Sequence, residues 1–598
     1  MIGRYTADFE TTTDENDCRV WAYALCNIDD PEEFIYGNNI DDFFDFCVEA
    51  KSNLKVWFHN LKFDSAFLLN YLFTHSFEHI KDRKDRRDFT FTTLITDMGQ
   101  FYSIEVYFSV KGKKVKKVTF LDSLKIFPNF SVEKVAKGFN LTISKLELDY
   151  NEYRPPNHQL TEHEIAYIRN DVEIMARALQ IMFNQGLNKM TIASDAMNYF
   201  KNNFIGFRKK FPKLPDDVDS AVRKSYRGGF TYVNDVWKEK ETAKGIVLDV
   251  NSLYPYCMTK VLPYSFPILY QGQYEYDKNY PLYIQNFSCV FDIKQGKIPT
   301  IQLKNNLSFI PNEYVKSSNS KIVNMTLTKP DFELFLEHYN VRHLSYHSGW
   351  KFKASDGYFS DYINYWIEQK IKASKEGNQP IRQISKLMLN SLYGRFAISG
   401  KCRQKSPMLD EEGILRFILE PEETRDTIYV PVAAFITAYG RERTIRTSQA
   451  IRDFTIKKYG EDRYYYSDTD SCHANLSDED LEELKDIIQI DDYKLGYWAR
   501  EGDGFDRGMF IRQKCYAEEK DGKLTVTVAG LPKYLAPLIT FDNFKKGFTT
   551  KGLTIEEMVE IASNNNASAE EIKKLHHKFT YKYVKGGVIL ADTDFTIK

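Results

Sequence analysis

The segment Tyr464-Tyr-Tyr-Ser-Asp468-Thr-Asp470-Ser-Cys-His-Ala474 decides the fold, because it has the pattern of two apolar strands joined by a turn that carries two acids. Asp is common in turns, so the acids alone would be ordinary turn chemistry. Tyrosines beside an exposed turn would be unusual, however, and these strands have the pattern of buried ones. The segment therefore predicts a β-hairpin whose tip presents Asp468 and Asp470 at a functional site.

A third acid in similar surroundings lies much earlier in the chain. Asp249 stands near the end of the apolar segment Gly245–Val250, and the sequence Asn-Ser-Leu-Tyr254-Pro then turns the chain. Carboxylates that pack together repel one another unless cations neutralise them. If the fold brings Asp249 and Asp470 together, they can share a pair of metal ions about 4 Å apart, an arrangement that serves phosphoryl transfer.

A helical stretch between these two segments carries further polar residues. Lys386, Asn390 and Tyr393 are spaced i, i+4 and i+7, so they share one helix face, and Arg382 extends this face by one turn. Lys and Arg bind phosphates, and a tyrosine ring packs well on a base. A solvated amphipathic face would account for the cations but not for the sequence Asn390-Ser-Leu-Tyr-Gly. The pattern predicts a nucleotide-binding face.

Residues 1–190 have the pattern of an α/β unit and contain another group of acids. Asp8 and Glu10 alternate along a strand, so both point to the same face. Asp64 follows a second apolar strand. Tyr167 and Asp171 are four residues apart on a helix predicted over 161–185, with Thr161 as its N-cap and Glu164 three residues further on. Each feature alone is common. Together they predict a second two-metal site, suited to phosphodiester hydrolysis, with Tyr167 orienting the attacking water.

The overall composition limits the possible classes of protein. A chain of 598 residues is too long for one hydrophobic core, so several domains are expected. The net charge of −2 argues mildly against a nucleic-acid partner, which usually binds a basic surface. Basic residues are nevertheless clustered at 81–87 and 441–446, whereas acids are clustered at 41–49 and 478–492. An enzyme that holds metals needs clustered acids, and these cancel a basic groove in the total.

The cysteines and the apolar runs indicate the compartment. The eight Cys residues include no C-x-x-C pair, so neither a zinc site nor a disulfide framework is predicted. The N-terminus enters a strand-like segment without a charged and then apolar leader, and no apolar run reaches about 18 residues. We expect a soluble, intracellular protein without a signal or transmembrane segment.

These acid-bearing segments resemble the motifs of family B DNA polymerases. Asp249-Val-Asn-Ser-Leu-Tyr-Pro, Lys386-Leu-Met-Leu-Asn-Ser-Leu-Tyr-Gly and Tyr466-Ser-Asp-Thr-Asp-Ser match the three polymerase motifs, and the N-terminal acids match the three exonuclease motifs of proofreading domains. Tyr226-Arg-Gly-Gly and Lys514-Cys-Tyr match two further signatures. Together with two insert-sized gaps, they resemble one branch of the family, the protein-primed DNA polymerases of small bacteriophages with linear genomes.

The resemblance covers nearly the whole chain and implies its fold. Ser467 stands where Cys is frequent in the family, and residues 554–585 match poorly, which leaves the thumb less well defined. The implied fold is an α+β multidomain one, with an RNase H-like α/β exonuclease domain followed by a right-hand polymerase of palm, fingers and thumb with two insertions. The implied division is exonuclease 1–190, palm 191–260, a first insertion that contacts terminal protein and DNA 261–358, fingers 359–397, a second insertion that serves strand displacement and processivity 398–431, palm 432–534 and thumb 535–598.

The resemblance also implies roles for residues of the exonuclease site. The predicted metal ligands are Asp8, Glu10, Asp64 and Asp171, with Glu147 at a position where the family has Asp. Lys145 matches a lysine near the scissile phosphate. Asn60 and Tyr167 would support the 3′ end and the nucleophile. The residues that would cradle the single strand are Thr11, His59, Phe63, Ser123 and Leu124.

At the polymerase site the resemblance implies a second set of roles. Asp249, Asp470 and the carbonyl oxygen of Val250 would hold the metals, and Asp468 would shape the site as a further catalytic and metal-binding acid. The predicted nucleotide-binding residues are Tyr254, Lys372, Arg382, Lys386, Asn390 and Tyr393, of which Tyr254 would exclude a ribose 2′-hydroxyl. The predicted DNA contacts are Tyr226, Gly228, Gly229, Ser252, Gly394, Thr469, Lys514 and Tyr516.

The same resemblance implies cofactors and partners. Two Mg²⁺ ions are expected at each active site, with Mn²⁺ as a substitute, because hard oxygen ligands suit Mg²⁺. The expected partners are template-primer DNA, deoxynucleoside triphosphates and a terminal protein that primes synthesis. A monomer in the cytoplasm of a bacterial host is expected.

Three other functions are compatible with parts of the pattern. A family B polymerase of plasmid or mobile-element type, primed by nucleic acid or by itself, would have the same chemistry, and the sequence discriminates it poorly because priming depends on a partner. A catalytically inactive nucleic-acid-binding scaffold would have lost acids, yet each motif retains its carboxylates. An exonuclease alone would leave most of the chain unexplained.

Overall fold

The computed structural model describes residues 2–150, 152–304, 308–310, 313–575, 580–591 and 594–598. The elements of the N-terminal region are β1 (Gly3–Thr11), β2 (Val20–Asn27), β3 (Phe34–Gly37), α1 (Ile40–Glu49), β4 (Leu54–Phe58), α2 (Leu61–Thr74), β5 (Glu78–His79), β6 (Thr90–Ile95), β7 (Phe101–Lys111), β8 (Lys114–Asp122), α3 (Val132–Gly138) and α4 (Glu162–Asn184). The strands form one eight-stranded sheet in the order β3-β2-β1-β4-β8-β7-β6-β5. Strands β1, β4 and β8 are parallel at its centre.

Helix α4 packs on the central strands and begins where the sequence predicted. Thr161 caps it in a reciprocal capping box with Glu164, as the spacing of these two residues indicated. The hydroxyl of Thr6 on β1 donates to the carbonyl of Val172 on α4 at 2.7 Å. This contact fixes the helix over the strand that carries the first pair of acids.

A second group of elements, from the middle and later parts of the chain, includes the strands that carry Asp249 and Asp468. Its elements are α5 (Ile192–Asn203), α6 (Phe207–Lys210), α7 (Asp216–Arg223), β9 (Thr231–Val233), β10 (Glu241–Thr242), β11 (Gly245–Val250), α8 (Leu253–Met258), α13 (Val430–Tyr459), β20 (Tyr464–Asp468), β21 (Ser471–Ala474), α14 (Asp478–Leu484), β22 (Trp498–Phe505), β23 (Arg507–Arg512), β24 (Cys515–Lys520) and β25 (Lys523–Val528). A five-stranded sheet has the order β22-β11-β21-β20-β9, and β10-β23-β24-β25 form a second sheet. The predicted hairpin at 464–474 is therefore confirmed as β20 and β21.

Two groups of elements lie in sequence between α8 and α13. The first comprises β12 (Leu262–Gln271), β13 (Leu282–Ile293), β14 (Val323–Thr328), α9 (Lys329–His338) and β15 (Tyr339–Ser355), with a sheet in the order β12-β15-β13-β14. The second comprises the helices α10 (Ser360–Lys375), α11 (Gln379–Ser391) and α12 (Tyr393–Phe396), followed by β16 (Lys401–Cys402), β17 (Lys405–Leu409), β18 (Leu415–Leu419) and β19 (Glu423–Thr424). The helices confirm the helical stretch predicted between the acid-bearing segments.

The C-terminal elements return to the N-terminal region. They are α15 (Ile555–Asn564), α16 (Ala569–Leu575), β26 (Thr580–Val584) and β27 (Gly587–Ala591). Val584, Val588 and Ile589 share a hydrophobic core with Phe58 and Phe67 of the N-terminal region. The β26–β27 hairpin therefore packs on the first domain, although it lies in the segment predicted as thumb.

In the part of the chain that the structure describes, no helix combines the length and the apolar character needed to cross a membrane.

Two candidate active sites

The central strands of the five-stranded sheet bring two predicted acids together. Asp249 on β11 is paired with Ser471 on β21. The backbone N–H of Val250 donates to the backbone carbonyl of Asp470 at 2.8 Å, which places Asp470 beside the end of β11. Asp249, Val250 and Asp470 all line a cavity of about 440 Å³. Two acids that are far apart in sequence are thus held side by side by backbone pairing.

The electrostatic environment of this pair favours a cation. Burial raises the pKa of Asp249 to about 7, and the neighbouring charges of Asp470 and Glu501 add to the effect. Burial also raises the pKa of Asp470, as do Asp468 and Glu501. Acids that repel one another in a partly buried site are stabilised in their charged form by a bound cation. Glu501 on β22 is an acid that the sequence motifs did not indicate.

Asp468 lies at the edge of this site, outside the residues that line the cavity. Its two oxygens accept from the ammonium of Lys514 at 2.8 and 2.9 Å. The hydroxyls of Tyr466 and Thr231 also donate to it, at 3.3 and 3.2 Å. The ring of Tyr516 packs on Tyr466 with the centroids 5.0 Å apart. Lys514 and Tyr516 are therefore held next to the hairpin. Sequence spacing alone could not indicate this proximity.

The tip of the hairpin has an uncommon backbone conformation. Thr469 has φ of 63°, which is rare for a β-branched residue. Its N–H donates to the carbonyl of Phe230 at 2.6 Å, and its carbonyl accepts from the hydroxyl of Thr444 at 2.6 Å. A side chain on Gly229 would lie 2.7 Å from the Thr469 side chain. The segment before β9 thus holds the tip, and Gly229 permits the close approach.

Aromatic and cationic residues form the opposite wall of the cavity that contains Asp249 and Asp470. The rings of Tyr254 and Tyr393 are 4.3 Å apart between centroids. Lys386 and Asn390 of α11 line the same cavity, as does Lys370 of α10. The face predicted from the i, i+4, i+7 spacing is therefore present on α11 and turned toward the acids. Ser252, with φ of 56°, also lines the cavity.

Some predicted nucleotide and DNA contacts lie away from the cavity. Lys372, Arg382 and Gly394 are exposed and are not among its lining residues. Burial lowers the pKa of Lys370, and the nearby charge of Arg382 lowers it further. Lys370 and Lys372 are two residues apart on α10, so only one can face α11, and the sequence could not select which.

An ion pair that sequence reasoning missed supports the Tyr226–Gly229 segment. The guanidinium of Arg441 on α13 donates to the carbonyls of Arg227 and Gly228 at 2.8 and 2.7 Å. It also forms two hydrogen bonds to the buried carboxylate of Asp331 on α9, at 3.0 and 2.6 Å. Arg441 therefore fixes the segment between the two domains and joins it to the first insertion.

The N-terminal acids converge on a second cavity. Asp8 and Glu10 of β1 and Asp171 of α4 line a cavity of about 930 Å³, and Asp64 of α2 is buried behind them. Burial raises the pKa of Asp8 to about 7, with a further contribution from Asp171. Burial and the charge of Asp8 also raise the pKa of Asp64 and of Glu10. The four predicted acids are therefore close neighbours.

Lys145 and two tyrosines complete this group. The ammonium of Lys145 lies 2.8 Å from Oδ2 of Asp171. The hydroxyl of Tyr167 is 2.5 Å from that of Tyr150, a residue that the sequence motifs did not indicate. Burial raises the pKa of Tyr150 to about 12, so the pair stays protonated near neutral pH. Glu147 also lines the cavity.

The residues predicted to cradle a single strand fall into two groups. Thr11, Asn60 and Phe63 line the cavity. His59 and Ser123 do not, because their side chains contact each other at 2.9 Å and Ser123 is completely buried. The N–H of Leu124 donates to Asp122 Oδ1 at 3.0 Å, and the N–H of Asn60 donates to the same oxygen at 3.1 Å. Asp122, absent from the predicted set, therefore shapes this wall.

The carboxylates fit divalent cations chemically, although they are not grouped as a ready set of ligands. Within the described ranges, no three His, Cys, Asp or Glu side chains are arranged to hold a metal ion. Lysines lie against Asp171 and Asp468 instead. Oδ1 of Asp64 and Oδ1 of Asp171 are buried and have no hydrogen-bond partner among the described residues. A buried, unpartnered carboxylate oxygen is costly, and a hard cation would satisfy it.

Comparisons with known proteins agree with this architecture. Residues 47–489 match the family model described as DNA polymerase type B, organellar and viral. The chain is 42% identical over 617 residues to the DNA polymerase of Bacillus phage phi29, with 99% of each sequence covered. It matches the structures of phi29 DNA polymerase with primer-template DNA and incoming nucleotide substrates (TM-score 0.87, 41% identity) and with single-stranded DNA (TM-score 0.85, 41% identity), with 100% of each chain covered.

The fold and the two acid clusters define a DNA polymerase with a separate N-terminal domain. The chain belongs to the type B DNA polymerase family of organelles and viruses, and relatives that it matches over their full length include DNA polymerases of Bacillus phage phi29 and Streptococcus phage Cp-1. The predicted α+β multidomain fold and the resemblance to phage family B polymerases are confirmed. Membership of this family implies dependence on divalent metal ions.

Proposed function

We propose that this protein replicates a linear phage genome as a DNA-directed DNA polymerase with a 3′→5′ proofreading exonuclease, by protein-primed, processive and strand-displacing synthesis. The observation that carries the polymerase assignment is the 2.8 Å hydrogen bond from Val250 to Asp470, because it holds Asp249 and Asp470 at one point. The full-length likeness to phage polymerases supports protein priming over a plasmid or self-primed mode. The site of action would be the cytoplasm of the bacterial host.

In the polymerase site, Asp249, Asp470 and the carbonyl of Val250 would hold two Mg²⁺ ions, with Mn²⁺ as a substitute. Bound ions of this kind activate the attacking oxygen and stabilise the leaving group in phosphoryl transfer. Asp468 orients Lys514 through two hydrogen bonds to its ammonium group. This ammonium would contact the primer terminus. Tyr516, whose ring is positioned by packing on Tyr466, would hold the same terminus.

The incoming deoxynucleotide would bind between α11 and the acids. Lys386 supports the triphosphate from within the cavity, and Lys370 provides a second cation there. Arg382 and Lys372 do not line this cavity and are proposed as outer contacts of the triphosphate. Asn390 and the ring of Tyr393 form the wall for the base. Tyr254 fills the space that a ribose 2′-hydroxyl would need.

Template and primer would contact backbone segments around the polymerase cavity. Tyr226, Gly228 and Gly229 form the segment that Arg441 holds next to the hairpin, and it would carry the template strand between the two sites. Ser252, Thr469 and Gly394 complete the proposed contacts with DNA. The similarity to phi29 DNA polymerase complexed with primer-template DNA and incoming nucleotide substrates supports both kinds of substrate.

In the N-terminal cavity, Asp8, Glu10, Asp64 and Asp171 would hold the metals, with Glu147 as a further ligand. Lys145 pairs with Asp171 and stands ready to contact the scissile phosphate. Tyr167, held by Tyr150, orients the attacking water. The residues proposed to bind the single strand are Thr11, Asn60 and Phe63 in the cavity, with His59, Ser123 and Leu124 behind them.

The proposed protein-primed, strand-displacing mode of synthesis assigns a role to each insertion. Residues 261–358 would contact the terminal protein and DNA, and residues 398–431 would clamp DNA during strand displacement. The second insertion has a physical basis for such a role, because Phe417 contacts Phe101 of the N-terminal region and Tyr583 of the C-terminal hairpin, with centroids 5.6 and 5.5 Å apart.

Separate variants of the two sites test the proposal. We expect Asp249→Ala to lower nucleotide addition by at least about 10³-fold, because one holder of both ions is lost, and to leave degradation of a labelled single-stranded primer intact. The double change Asp8→Ala and Glu10→Ala should have the reverse effect. Removal of divalent ions with EDTA should stop both reactions, and added Mg²⁺ should restore them. Equal loss of both activities in either variant would contradict two separate sites.

Covalent labelling tests the priming mode. The protein is incubated with labelled dATP, Mg²⁺ and lysate from the native host, without any added DNA primer. Label that is attached covalently to a small protein supports protein priming. Label found only in elongated nucleic acid contradicts it and favours the self-primed or nucleic-acid-primed alternative.

A further inference from the structure

The C-terminal hairpin is anchored to the N-terminal domain by contacts along both strands. Val588 and Ile589 of β27 lie in the hydrophobic core of the N-terminal domain. A side chain on Gly587 would lie only 2.5 Å from the ring of Phe67 on α2, so the turn is in close contact with that helix. The ammonium of Lys582 pairs with Glu15 at 2.5 Å. The hairpin is therefore a wall of the N-terminal cavity.

Tyr581 projects from this hairpin into the group of residues proposed to bind a single strand. Its hydroxyl accepts from Nδ2 of Asn60 at 2.8 Å. Its ring lies edge-on to Phe63 with centroids 5.8 Å apart, and the ammonium of Lys62 lies 5.0 Å from its centroid. Tyr581 also lines the cavity. One side chain from the end of the sequence thus contacts Asn60, Lys62 and Phe63, near the exonuclease acids.

Asn60 needs such a partner because of where it stands. It precedes α2 with a left-handed backbone, φ 77° and ψ 53°, and its side chain makes no capping hydrogen bond to the helix. The amide can therefore rotate unless another group holds it. Asp64 lies one turn further along the same helix. A rotation of the Asn60 side chain therefore changes the position of its amide relative to the acids.

We propose that Tyr581 is a positioning residue of the exonuclease site, which holds Asn60 and Phe63 in the orientation that binds the 3′-terminal nucleotides of a single strand. This role rests on the exonuclease function proposed above. The hairpin is docked by the Val588, Ile589 and Lys582 contacts, so the Tyr581 hydroxyl is free to act on the site rather than on docking. A primer terminus would then meet a wall built from both ends of the chain.

The test compares Tyr581→Phe with Tyr583→Phe in the full-length protein. Tyr583 lies on the same face of β26 but packs on Phe417, so it is a matched control. Degradation of a labelled single-stranded oligonucleotide is followed at rising enzyme concentration. We expect Tyr581→Phe to raise the half-saturating concentration about 3- to 10-fold, the effect of one lost side-chain hydrogen bond. The maximal rate and nucleotide addition should stay within about twofold of the unmodified protein.

A double-variant cycle shows whether Tyr581 acts through Asn60. In an Asn60→Ala background, Tyr581→Phe should change the half-saturating concentration by less than about twofold, because the hydrogen bond is already absent. An equal effect in both backgrounds, or an effect of Tyr583→Phe as large as that of Tyr581→Phe, would overturn the role. So would an unchanged half-saturating concentration in Tyr581→Phe itself.

The outcomes also separate this role from the function on which it rests. Degradation that survives Asp8→Ala and Glu10→Ala would overturn the exonuclease assignment and the role together. Degradation that requires these acids but is indifferent to Tyr581→Phe would overturn the role alone.

Discussion

Tyr254 and Tyr393 form a narrow aromatic wall over the polymerase acids. Their ring centroids are 4.3 Å apart, and both side chains line the cavity that contains Asp249 and Asp470. The two rings come from α8 and α12, so their contact fixes the distance between the acid-bearing strand and the helices. A sugar that enters the cavity would meet Tyr254 at a position set by this ring contact.

We therefore expect Tyr254→Val to weaken discrimination against ribonucleotides. The smaller side chain opens space for a 2′-hydroxyl, and the ratio of deoxy- to ribonucleotide incorporation should fall about 10- to 200-fold, the range of steric discrimination in a pocket. Single-nucleotide extension with dATP and ATP measures the ratio. Tyr254→Phe keeps the ring and serves as the control. A ratio in Tyr254→Val that equals the control would rule out the steric role.

The hairpin formed by β20 and β21 depends on the loop before β9. Thr469 at its tip is held by Phe230 and by Thr444 of α13, at 2.6 Å in each case. The tip therefore has a left-handed residue that its own sequence does not favour, and neighbouring elements impose this conformation. Backbone strain of this kind persists where the surrounding structure fixes it.

A methyl group on Gly229 should disturb this arrangement. Its Cβ would lie 2.7 Å from Thr469, whereas a Cβ on Gly228 meets no atom within 4 Å. We expect Gly229→Ala to lower nucleotide addition by about 10- to 100-fold, because a small displacement of reacting groups has an effect of this size. Gly357→Ala is the control, because a Cβ there would also meet no atom within 4 Å and the residue lies outside the proposed DNA contacts. Primer-extension rates measure the effect, with exonuclease activity as the check on folding; equal rates in the two variants would show that the contact is unimportant.

Three distant segments meet at the second insertion. Phe417 on β18 contacts Phe101 on β7 and Tyr583 on β26, while Leu415 lies in the core of the N-terminal domain. The insertion, the first domain and the C-terminal hairpin are therefore joined by aromatic packing, although hundreds of residues separate them in sequence. The clamp on DNA that we propose for this insertion would be held in place by this packing.

We expect Phe417→Ala to reduce processivity without slowing the chemical step. The change removes two aromatic contacts, worth about 0.5–1.5 kcal/mol each beyond their buried area, and loosens the hairpin. The length synthesised per binding event should fall several-fold in the presence of a trap, while addition of a single nucleotide stays unchanged. Ile418→Ala, at a neighbouring side chain that is 52% exposed, is the control. Unchanged product length in Phe417→Ala would contradict the clamp.

The sequence could predict those features that follow from local backbone geometry. The strand Gly245–Val250, the hairpin at 464–474 and the capping box of Thr161 and Glu164 are observed where periodicity and capping chemistry indicated them. The polar face of Lys386, Asn390 and Tyr393 follows from helical spacing in the same way. Spacing along regular elements related Asp8 to Glu10 and Tyr167 to Asp171, whereas the family resemblance joined these residues to Asp64 and related Asp249 to the hairpin acids.

Only the tertiary structure decided which distant groups meet. Tyr581 and Asn60, Arg441 and Asp331, and the choice of Lys370 rather than Lys372 for the cavity have no local signature. Periodicity is fixed by bonds along the backbone, and it can be read one element at a time. Contacts between remote segments are selected by how all the elements pack at once, so they depend on the whole chain rather than on any stretch of it.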